Sequence, residues 1–377
     1  MEGRLLPRKI GVAFVGCAHP HLPPRRDLLA AEPDVVLVGC FDPDPRLTEI
    51  VHERYGLHVF ASATELLDQT DVRLALVEGW DRDNPHYVRE ALKRGQAVLL
   101  EKPGARNLDE MRALVAAIRA TPVPFQVAFM LAHSQAIVEA QRIIASGVLG
   151  AVSLARFHVP GPVGATREPA LCLPDDLGGI FYADGSHAVH LIIRLLGMPR
   201  RASAILLKLP EGPPVLAQDY IRDTFTQETV EMPFGGSVHE DAGAAVLEYP
   251  DKLVTLDMTG WGARPWVESW AIEFLGTEGT LQVGLQPPWY RLYLRRPRAG
   301  HAAGWHSWRG TGVSGGANSL VVDANYRAEM QELLTRVRNW DTSPQPWLDE
   351  AHAVITVLDA IFRSARDGAA VRIADAQ

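Results

Sequence analysis

The stretch that decides the fold class of this chain is KIGVAFVGCAHPH, residues 9–21. Its apolar part, residues 10–15, carries no charge and is rich in β-prone residues, which predicts a buried central strand. Gly16 ends this strand, and the turn after it leads towards a helical segment. A strand, a Gly-rich turn and a helix in this order are typical of dinucleotide-binding sheets, because backbone N–H groups at the start of the helix can bind phosphate.

The turn itself departs from the dinucleotide-binding pattern GxGxxG. Only Gly16 is present, and Ala18 and His21 occupy the positions of the other two glycines. Backbone groups rather than side chains bind the phosphates, so neither substitution removes a required chemical group. A turn with a purely structural role is the alternative interpretation.

Short apolar runs alternate with amphipathic segments from Lys9 to about Phe129, which predicts βαβ units around a parallel sheet. The further strands predicted in this part are 35–41, 74–77 and 97–100, and the predicted helices are 27–31, 45–55 and 85–94. After Phe129 the pattern predicts a helix over 135–145 and then strands separated by Pro/Gly clusters. These strands are 153–159, 202–209, 242–249, 253–259, 270–276 and 279–283.

The pattern as a whole predicts an α/β chain with two domains. An N-terminal Rossmann domain with a doubly wound parallel sheet is expected over residues 1–131. A C-terminal α+β domain with a large, mostly antiparallel open sheet is expected over residues 132–377, for substrate binding and oligomerisation. Glycine, proline and small polar residues predict a long loop over 296–318, followed by helices over 326–340 and 348–366.

Composition narrows the classes of partner. The chain of 377 residues has a formal net charge of -8 and no block of Lys and Arg, which argues against nucleic acid or an anionic membrane as the partner. Its three cysteines form no CxxC pair and indicate a reducing, cytoplasmic compartment. No apolar run approaches the roughly 20 residues that span a bilayer. A small-molecule ligand is therefore expected.

Asp42 is the first candidate for a ligand contact outside the turn. It follows the predicted strand 35–41, where a carboxylate in a dinucleotide-binding sheet accepts hydrogen bonds from the ribose hydroxyls of the adenosine half. This arrangement favours NAD over NADP, because the carboxylate repels a 2′-phosphate. The alternative is that Asp42 only shapes the turn in the sequence Asp42-Pro-Asp-Pro45.

Glu101 and Lys102 follow the predicted strand 97–100, at the edge of the sheet where doubly wound folds bind ligands. A lysine at this edge can point towards a ligand. The alternative interpretation is a pair of charges on the surface.

A third cluster contains Asp184, His187 and His190, which are spaced three residues apart and share one face of a helical turn. A histidine can exchange a proton near neutral pH, and a carboxylate beside it fixes its tautomer. The alternative is an N-cap aspartate followed by two histidines that pack in the core. No HExxH or CxxC spacing is present, and we expect no metal site.

Several of these motifs, in this order, resemble the Gfo/Idh/MocA family, which is named after glucose-fructose oxidoreductase and inositol dehydrogenase. The resemblance spans nearly the whole chain. The residues that carry it are Val12–Gly16, Asp42, Asn84-Pro-His86, Val98–Pro103, Ile143–Gly150, Gly178-Gly179, Asp184–His187, Leu275–Leu281 and Ala360–Gly368.

The resemblance implies that Lys102 orients the substrate near the nicotinamide and that His187 transfers a proton. The family's aspartate stands four residues before the histidine, and that position is Ala183 here, whereas Asp184 is one residue nearer. We expect the flexible Gly185, in a short loop before a helix that begins near His190, to let Asp184 reach the ring of His187. The residues expected to contact the cofactor are Gly16, Cys17, Ala18, His19, Asp42, Gly79, Trp80, His86, Glu101 and Lys102.

The function that the resemblance implies is hydride transfer between NAD and a secondary alcohol of a sugar, a cyclitol or a related polyol. A homo-oligomer is expected on a separate ground, because the free face of an open sheet commonly needs to be covered. Two alternatives stay open. One is a redox-neutral enzyme that keeps NAD bound and cleaves or eliminates a glycoside. The other is a catalytically silent NAD-binding regulator.

Overall fold

The computed structural model describes residues 9–19, 21–160, 179–218, 229–234, 239–261, 270–285, 287–310 and 320–373. These residues form two compact units. The first unit combines residues 1–128 with residues 326–348, and the second combines residues 129–325 with residues 349–377.

The first unit contains a five-stranded parallel sheet with the strand order β2-β1-β3-β4-β5. Its strands are β1 (Ile10–Val15), β2 (Val35–Phe41), β3 (Val72–Val77), β4 (Ala97–Leu100) and β5 (Phe125–Val127). All six residues of β1 are buried, as the uncharged run predicts for a central strand. The prediction of a doubly wound parallel sheet is confirmed.

Five helices lie between these strands: α1 (Leu22–Ala30), α2 (Pro45–Tyr55), α3 (Ala63–Leu67), α4 (Asn84–Lys93) and α5 (Leu108–Ala120). Helix α2 has the predicted bounds because both of its ends are capped. The side chain of Asp44 accepts a hydrogen bond from the N–H of Arg46, and Gly56 is left-handed. Helix α1 begins at Leu22 rather than at residue 27, because prolines fit the first turn of a helix, where the missing N–H has no intrahelical partner.

A late segment of the chain completes the first unit. It comprises most of α9 (Leu320–Asn339) and the start of α10 (Trp347–Asp367). The guanidinium of Arg338 donates hydrogen bonds to Asp34 at 2.6 Å and 2.9 Å and to Glu32 at 2.7 Å. Hydrophobic periodicity predicts both helices, but it does not show which sheet a helix joins, and the expected boundary near residue 131 therefore leaves this segment out of the first domain.

The second unit contains a nine-stranded sheet with the order β15-β14-β13-β12-β6-β11-β10-β7-β16. Only β6 and β11 pair in parallel among its described strands. The strands are β6 (Val152–Pro160), β7 (Arg201–Leu207), β10 (Ala242–Glu248), β11 (Leu253–Thr259), β12 (Ala271–Gly276), β13 (Gly279–Leu285), β14 (Pro288–Leu294), β15 (Gly304–Arg309) and β16 (Val371–Arg372). The mostly antiparallel sheet is confirmed. Strands β8 (Gly212–Gln218) and β9 (Thr229–Phe234) form a separate pair.

The helices of the second unit are α6 (Gln135–Ala145), α7 (Ile180–Ala183), α8 (Gly185–Leu196) and most of α10. A short 3-10 helix over Met130–His133 precedes α6. None of the helices in the described ranges combines the length and apolar character that a bilayer crossing requires.

The loop predicted over residues 296–318 is wrong for residues 304–309, which form β15 and pair with β14. Tyr290 stacks on Trp308 at 5.9 Å between ring centroids, and Tyr293 lies 5.2 Å from Trp305. Aromatic pairs of this kind stabilise neighbouring strands. The flanking glycines hide this signal in the sequence. Residues 311–318 lie outside the described residues.

Candidate functional site

The Gly-rich turn begins where β1 ends, and its first residue is under a tight steric constraint. Gly16 has a φ of +93°, and a Cβ on it would lie 2.0 Å from the backbone nitrogen of Gly79, just after β3. Its N–H donates to the carbonyl of Phe41 at 2.7 Å. Only glycine fits this space and this backbone conformation. The ends of β1, β2 and β3 therefore meet at the turn, where a doubly wound sheet binds phosphate.

Replacing Gly16 by alanine is expected to lower the free energy of unfolding by about 2–4 kcal/mol, because the new Cβ collides with backbone. Gly56→Ala is the matched control. Gly56 also has a positive φ, of +65°, but its Cβ would meet nothing within 4 Å. Gly56→Ala should therefore lower the free energy of unfolding only by the cost of the left-handed conformation, about 1–2 kcal/mol. Denaturant unfolding measures both values, and equal losses would contradict the steric account.

Asp42 lies beside the turn and is buried. Its Oδ2 accepts the N–H of Cys17 at 2.7 Å, and its Oδ1 accepts the N–H of Asp44 at 2.8 Å. Burial raises the pKa of this carboxyl, against the two hydrogen bonds, which lower it. Asp42 thus shapes its own turn and also contacts the Gly-rich turn, so the two interpretations of this residue are compatible.

An orphaned amide lies on the same edge of the sheet. Asn84 begins α4 and is fully buried, and within the described residues neither polar atom of its side chain has a hydrogen-bond partner. Its Oδ1 lies 3.1 Å from the position that a Cβ on Gly79 would occupy. A buried amide without partners costs free energy unless a ligand satisfies it. The free amide, the constrained Gly16 and the carboxylate of Asp42 fit a bound dinucleotide.

The other expected cofactor contacts are distributed around this edge of the sheet. Cys17, Ala18 and Gly79 are buried, Trp80 and His19 are partly exposed, and His86 is exposed in the first turn of α4.

Glu101 and Lys102 are both buried, with relative exposures of 0% and 5%, so the surface-pair interpretation is wrong. Glu101 contacts Arg25, whose Nη1 donates to Glu101 Oε2 at 2.6 Å and to Glu78 Oε1 at 3.0 Å. The Nε of Arg25 donates to Glu329 Oε2 at 3.0 Å. Helices α1 and α9 and the ends of β3 and β4 each supply one member of this cluster, which we call the Arg25 cluster.

The Arg25 cluster contains three fully buried carboxylates around one guanidinium. Burial raises the pKa of Glu78 to about 7 and that of Glu329 to about 7, although Arg25 lowers both. Burial also acts to raise the pKa of Glu101, but His19, His21 and Arg25 together lower it well below its usual value. Glu101 is therefore the carboxylate of the cluster that is ionised most readily.

The sequence motifs did not reveal the Arg25 cluster. Its members come from distant positions, and charged residues are rarely fully buried. The sequence signal is Arg25 itself, a charge at helical spacing from Leu22 and Leu29, which are buried on the same face of α1.

In the second unit, His187 lies in the first turn of α8 and Asp184 immediately precedes this helix. The expected short loop before a helix near His190 is wrong, because α8 already begins at Gly185. The N–H of His187 donates to the carbonyl of Asp184 at 3.0 Å. Asp184 occupies the N-cap position, without a side-chain capping hydrogen bond. Gly185 is in the helix and has no positive φ. A Cβ on it would lie 2.9 Å from Met258 Sδ, so a larger residue would require this methionine side chain to shift. Gly178 lies outside the described residues.

Aromatic rings hold His187, which is 4% exposed. Its ring meets Phe129 edge-on at 6.1 Å and Trp270 edge-on at 6.3 Å. Such packing fixes the direction of the imidazole. Asp184 and His187 thus both lie at the start of α8, as their spacing predicts.

His190 has a different environment, although it is only one turn further along α8. It stacks on Phe129 with ring centroids 4.0 Å apart, and its Nε2 lies 2.7 Å from Glu350 Oε2. Burial lowers the pKa of His190, although the carboxylate of Glu350 raises it. These contacts favour packing as the role of His190 and leave His187 as the stronger candidate for proton transfer.

Comparisons with known proteins agree with this architecture. The family model described as "Oxidoreductase family, NAD-binding Rossmann fold" matches residues 10–129. The model described as "GFO/IDH/MocA C-terminal domain" matches residues 137–282. The two together cover more than half of the chain.

Two curated relatives are inositol 2-dehydrogenases. The enzyme of Burkholderia multivorans is 30% identical over 145 residues, which are 38% of this chain and 43% of the relative. The enzyme of Rubrobacter xylanophilus is 33% identical over 125 residues, which are 33% of this chain and 36% of the relative. The chain thus spans less than half the length of these relatives.

Solved structures resemble the whole chain. GenD2 from gentamicin A biosynthesis, in complex with NAD, has a TM-score of 0.76 at 22% identity and covers 97% of both chains. Levoglucosan dehydrogenase, in complex with NADH and levoglucosan, has a TM-score of 0.76 at 16% identity and covers 97% of this chain and 99% of that chain. At these identities the likeness shows the fold. With the two family matches, it establishes that the chain belongs to the Gfo/Idh/MocA family of NAD-binding oxidoreductases.

Proposed function

We propose that the protein oxidises a secondary alcohol of a sugar, a cyclitol or a related polyol and transfers the hydride to NAD. The observation that carries this proposal is the position of Lys102, a buried ammonium directly after β4, in the unit that also holds the Gly-rich turn and Asp42. A buried ammonium at the carboxyl edge of a dinucleotide-binding sheet is suited to stabilise negative charge on a substrate oxygen.

The proposed roles divide the reaction between three side chains. Lys102 stabilises the charge that develops on the hydroxyl oxygen of the substrate. His187 accepts the hydroxyl proton, and its ring is already fixed by the aromatic contacts described above. Asp184 orients His187 from the start of the same helix. NAD, when bound, accepts the hydride.

The names of the similar proteins support this substrate class. Two curated relatives are inositol 2-dehydrogenases, and one similar structure is a levoglucosan dehydrogenase. Another, with a TM-score of 0.72 at 17% identity, is a putative myo-inositol dehydrogenase from Sinorhizobium meliloti. Cyclitols and anhydrosugars both present ring secondary alcohols.

The test is a panel of cyclitols, sugars and sugar acids incubated with the purified protein and NAD. We expect reduced nicotinamide to form, measured by its absorbance, with at least one ring polyol. Tight NAD binding without reduction on any polyol would contradict the proposal and favour a silent regulator.

We expect turnover with NAD to exceed turnover with NADP. The carboxylate of Asp42 would face the 2′-phosphate with like charge, and no arginine follows it until Arg46. In this structure the guanidinium of Arg46 is bonded to the carboxylate of Asp44 at 3.0 Å. Asp42→Ala should reduce the preference for NAD. Turnover is measured with each cofactor at saturating substrate, and equal or faster turnover of the wild type with NADP would show that Asp42 does not contact the ribose.

Exposed apolar residues on the large sheet support the expected homo-oligomer. Ile205 is 78% exposed and Leu207 50% exposed on β7, and Val246 is 40% exposed on the neighbouring β10. Apolar side chains in adjacent positions on a sheet face are typical of an interface. The molar mass of the protein in solution tests this expectation, because a homo-oligomer has a multiple of the 41.3 kDa mass of the chain.

A further inference from the structure

Two histidines and one carboxylate converge beside the Gly-rich turn, and the proposed reaction does not use their side chains together. His19, His21 and Glu101 each offer one ligand atom, and these atoms lie within 4.8 Å of one another. His19 Nδ1 lies 3.8 Å from Glu101 Oε1, and His21 Nδ1 lies 3.0 Å from Glu101 Oε2. The histidines follow β1 and the glutamate follows β4, so the parallel sheet brings them together.

The facing atoms of His19 and Glu101 lack hydrogen bonds. Glu101 Oε1 and His19 Nδ1 are buried, and neither has a hydrogen-bond partner within the described ranges. Their separation of 3.8 Å is too long for a hydrogen bond. It does suit two ligands of one ion, since atoms each about 2.0–2.2 Å from a metal lie up to about 4.4 Å apart. An unsatisfied buried oxygen facing an unsatisfied imidazole nitrogen therefore points to a bridging cation.

The charge of the surroundings also favours a cation. The buried carboxylates of Glu78, Glu101 and Glu329 are packed around Arg25, and the buried Lys102 directly follows Glu101 in the sequence. Three carboxyl groups thus surround one guanidinium, so the Arg25 cluster is rich in acidic groups. A divalent ion beside Glu101 would offset this surplus of acidic groups in a site from which water is largely excluded.

We propose that His19, His21 and Glu101 bind one divalent transition-metal ion through two imidazole nitrogens and one carboxylate oxygen. Two nitrogens and one oxygen form a donor set that Zn²⁺ takes up, with a further position left open. Arg25 would orient the ligand, because it holds Glu101 Oε2 at 2.6 Å and leaves Oε1 towards His19. The expectation of no metal rested on local spacing motifs, and Glu101 is too distant along the chain to form one.

The test uses the full chain, stripped with a chelator and kept free of NAD so that cofactor binding does not contribute. Calorimetric titration with Zn²⁺ should show one equivalent bound, and titration with Co²⁺ should produce visible absorption bands of a low-symmetry site. His19→Gln and His21→Gln should each weaken Zn²⁺ binding by at least about 100-fold, because each removes a direct ligand. The control is His158→Gln, which changes an exposed histidine 2.5 Å from Asp257 and should leave binding unchanged.

Three results would overturn the proposal. The first is a wild-type protein that binds no Zn²⁺ at micromolar concentrations. The second is undiminished binding by both histidine variants, and the third is loss of binding in the His158 control, which would place the ion on the surface. If His21→Gln fails to fold, His19→Gln decides, because His19 makes no hydrogen bond to Glu101 that its replacement would break. None of these results bears on hydride transfer, which is measured separately with NAD.

Discussion

Lys102→Ala is expected to lower turnover by about 10²–10³-fold while leaving NAD binding largely intact, since one charge-stabilising donor near a reacting oxygen is worth about this much in rate. The backbone of the Gly-rich turn and Asp42 hold the cofactor in the proposed site, so its affinity should survive. Calorimetry with NAD and steady-state kinetics on the same preparation separate the two effects.

The control for this substitution is Lys93→Ala. Lys93 is an exposed lysine of the same unit, and its Nζ lies 2.6 Å from Glu90. It should leave both turnover and NAD binding unchanged. Near-normal turnover of Lys102→Ala would remove Lys102 from the reaction. Loss of NAD affinity in parallel with turnover would limit Lys102 to its expected contact with the cofactor.

His187→Ala is expected to lower turnover by about 10²–10⁴-fold, the range for a lost general acid or base. The pH profile of turnover should lose the slope that arises from protonation of this histidine. Asp184→Asn should cost less and should shift the pH optimum, because the ring stays in place but loses a charged neighbour. The pH profile is the informative readout, since a purely structural loss would lower turnover at every pH without changing the shape.

His190→Gln is the comparison variant for His187. It breaks the stack on Phe129 and the contact with Glu350, so it should lower thermal stability and leave the shape of the pH profile unchanged. The assignment fails if His187→Ala keeps its turnover and profile while His190→Gln loses them.

The parts of the fold that the sequence predicted correctly are those with strong local signals. β1 is an uncharged run and α2 carries a cap at each end, and both have the predicted bounds or nearly so. The errors arise where local signals compete with packing. Proline and glycine suggested breaks at the start of α1 and near β15, whereas the first turn of the helix and the aromatic pairs of the strand accommodate them.

The residues of the candidate site also differ in whether local sequence signals predict them. Asp42 and Lys102 could be predicted because they directly follow strands, and a parallel sheet fixes where such residues lie. The Arg25 cluster could not be predicted, because Glu329 comes from a helix near the other end of the chain. Charge alone would have placed Glu329 and Arg25 on the surface, and the hydrogen bonds within the Arg25 cluster make their burial tolerable.

In the proposed reaction a carbon-bound hydrogen of a polyol leaves as hydride to NAD, and isotope transfer measures this step. A ring polyol from the substrate panel, deuterated at its carbinol carbons, is incubated with the protein and NAD, and both products are analysed by mass spectrometry. We expect a reduced cofactor that carries one deuterium and a ketone that has lost it. A product that keeps its deuterium while the cofactor ends the reaction oxidised would contradict net oxidation and indicate redox-neutral cleavage of the substrate.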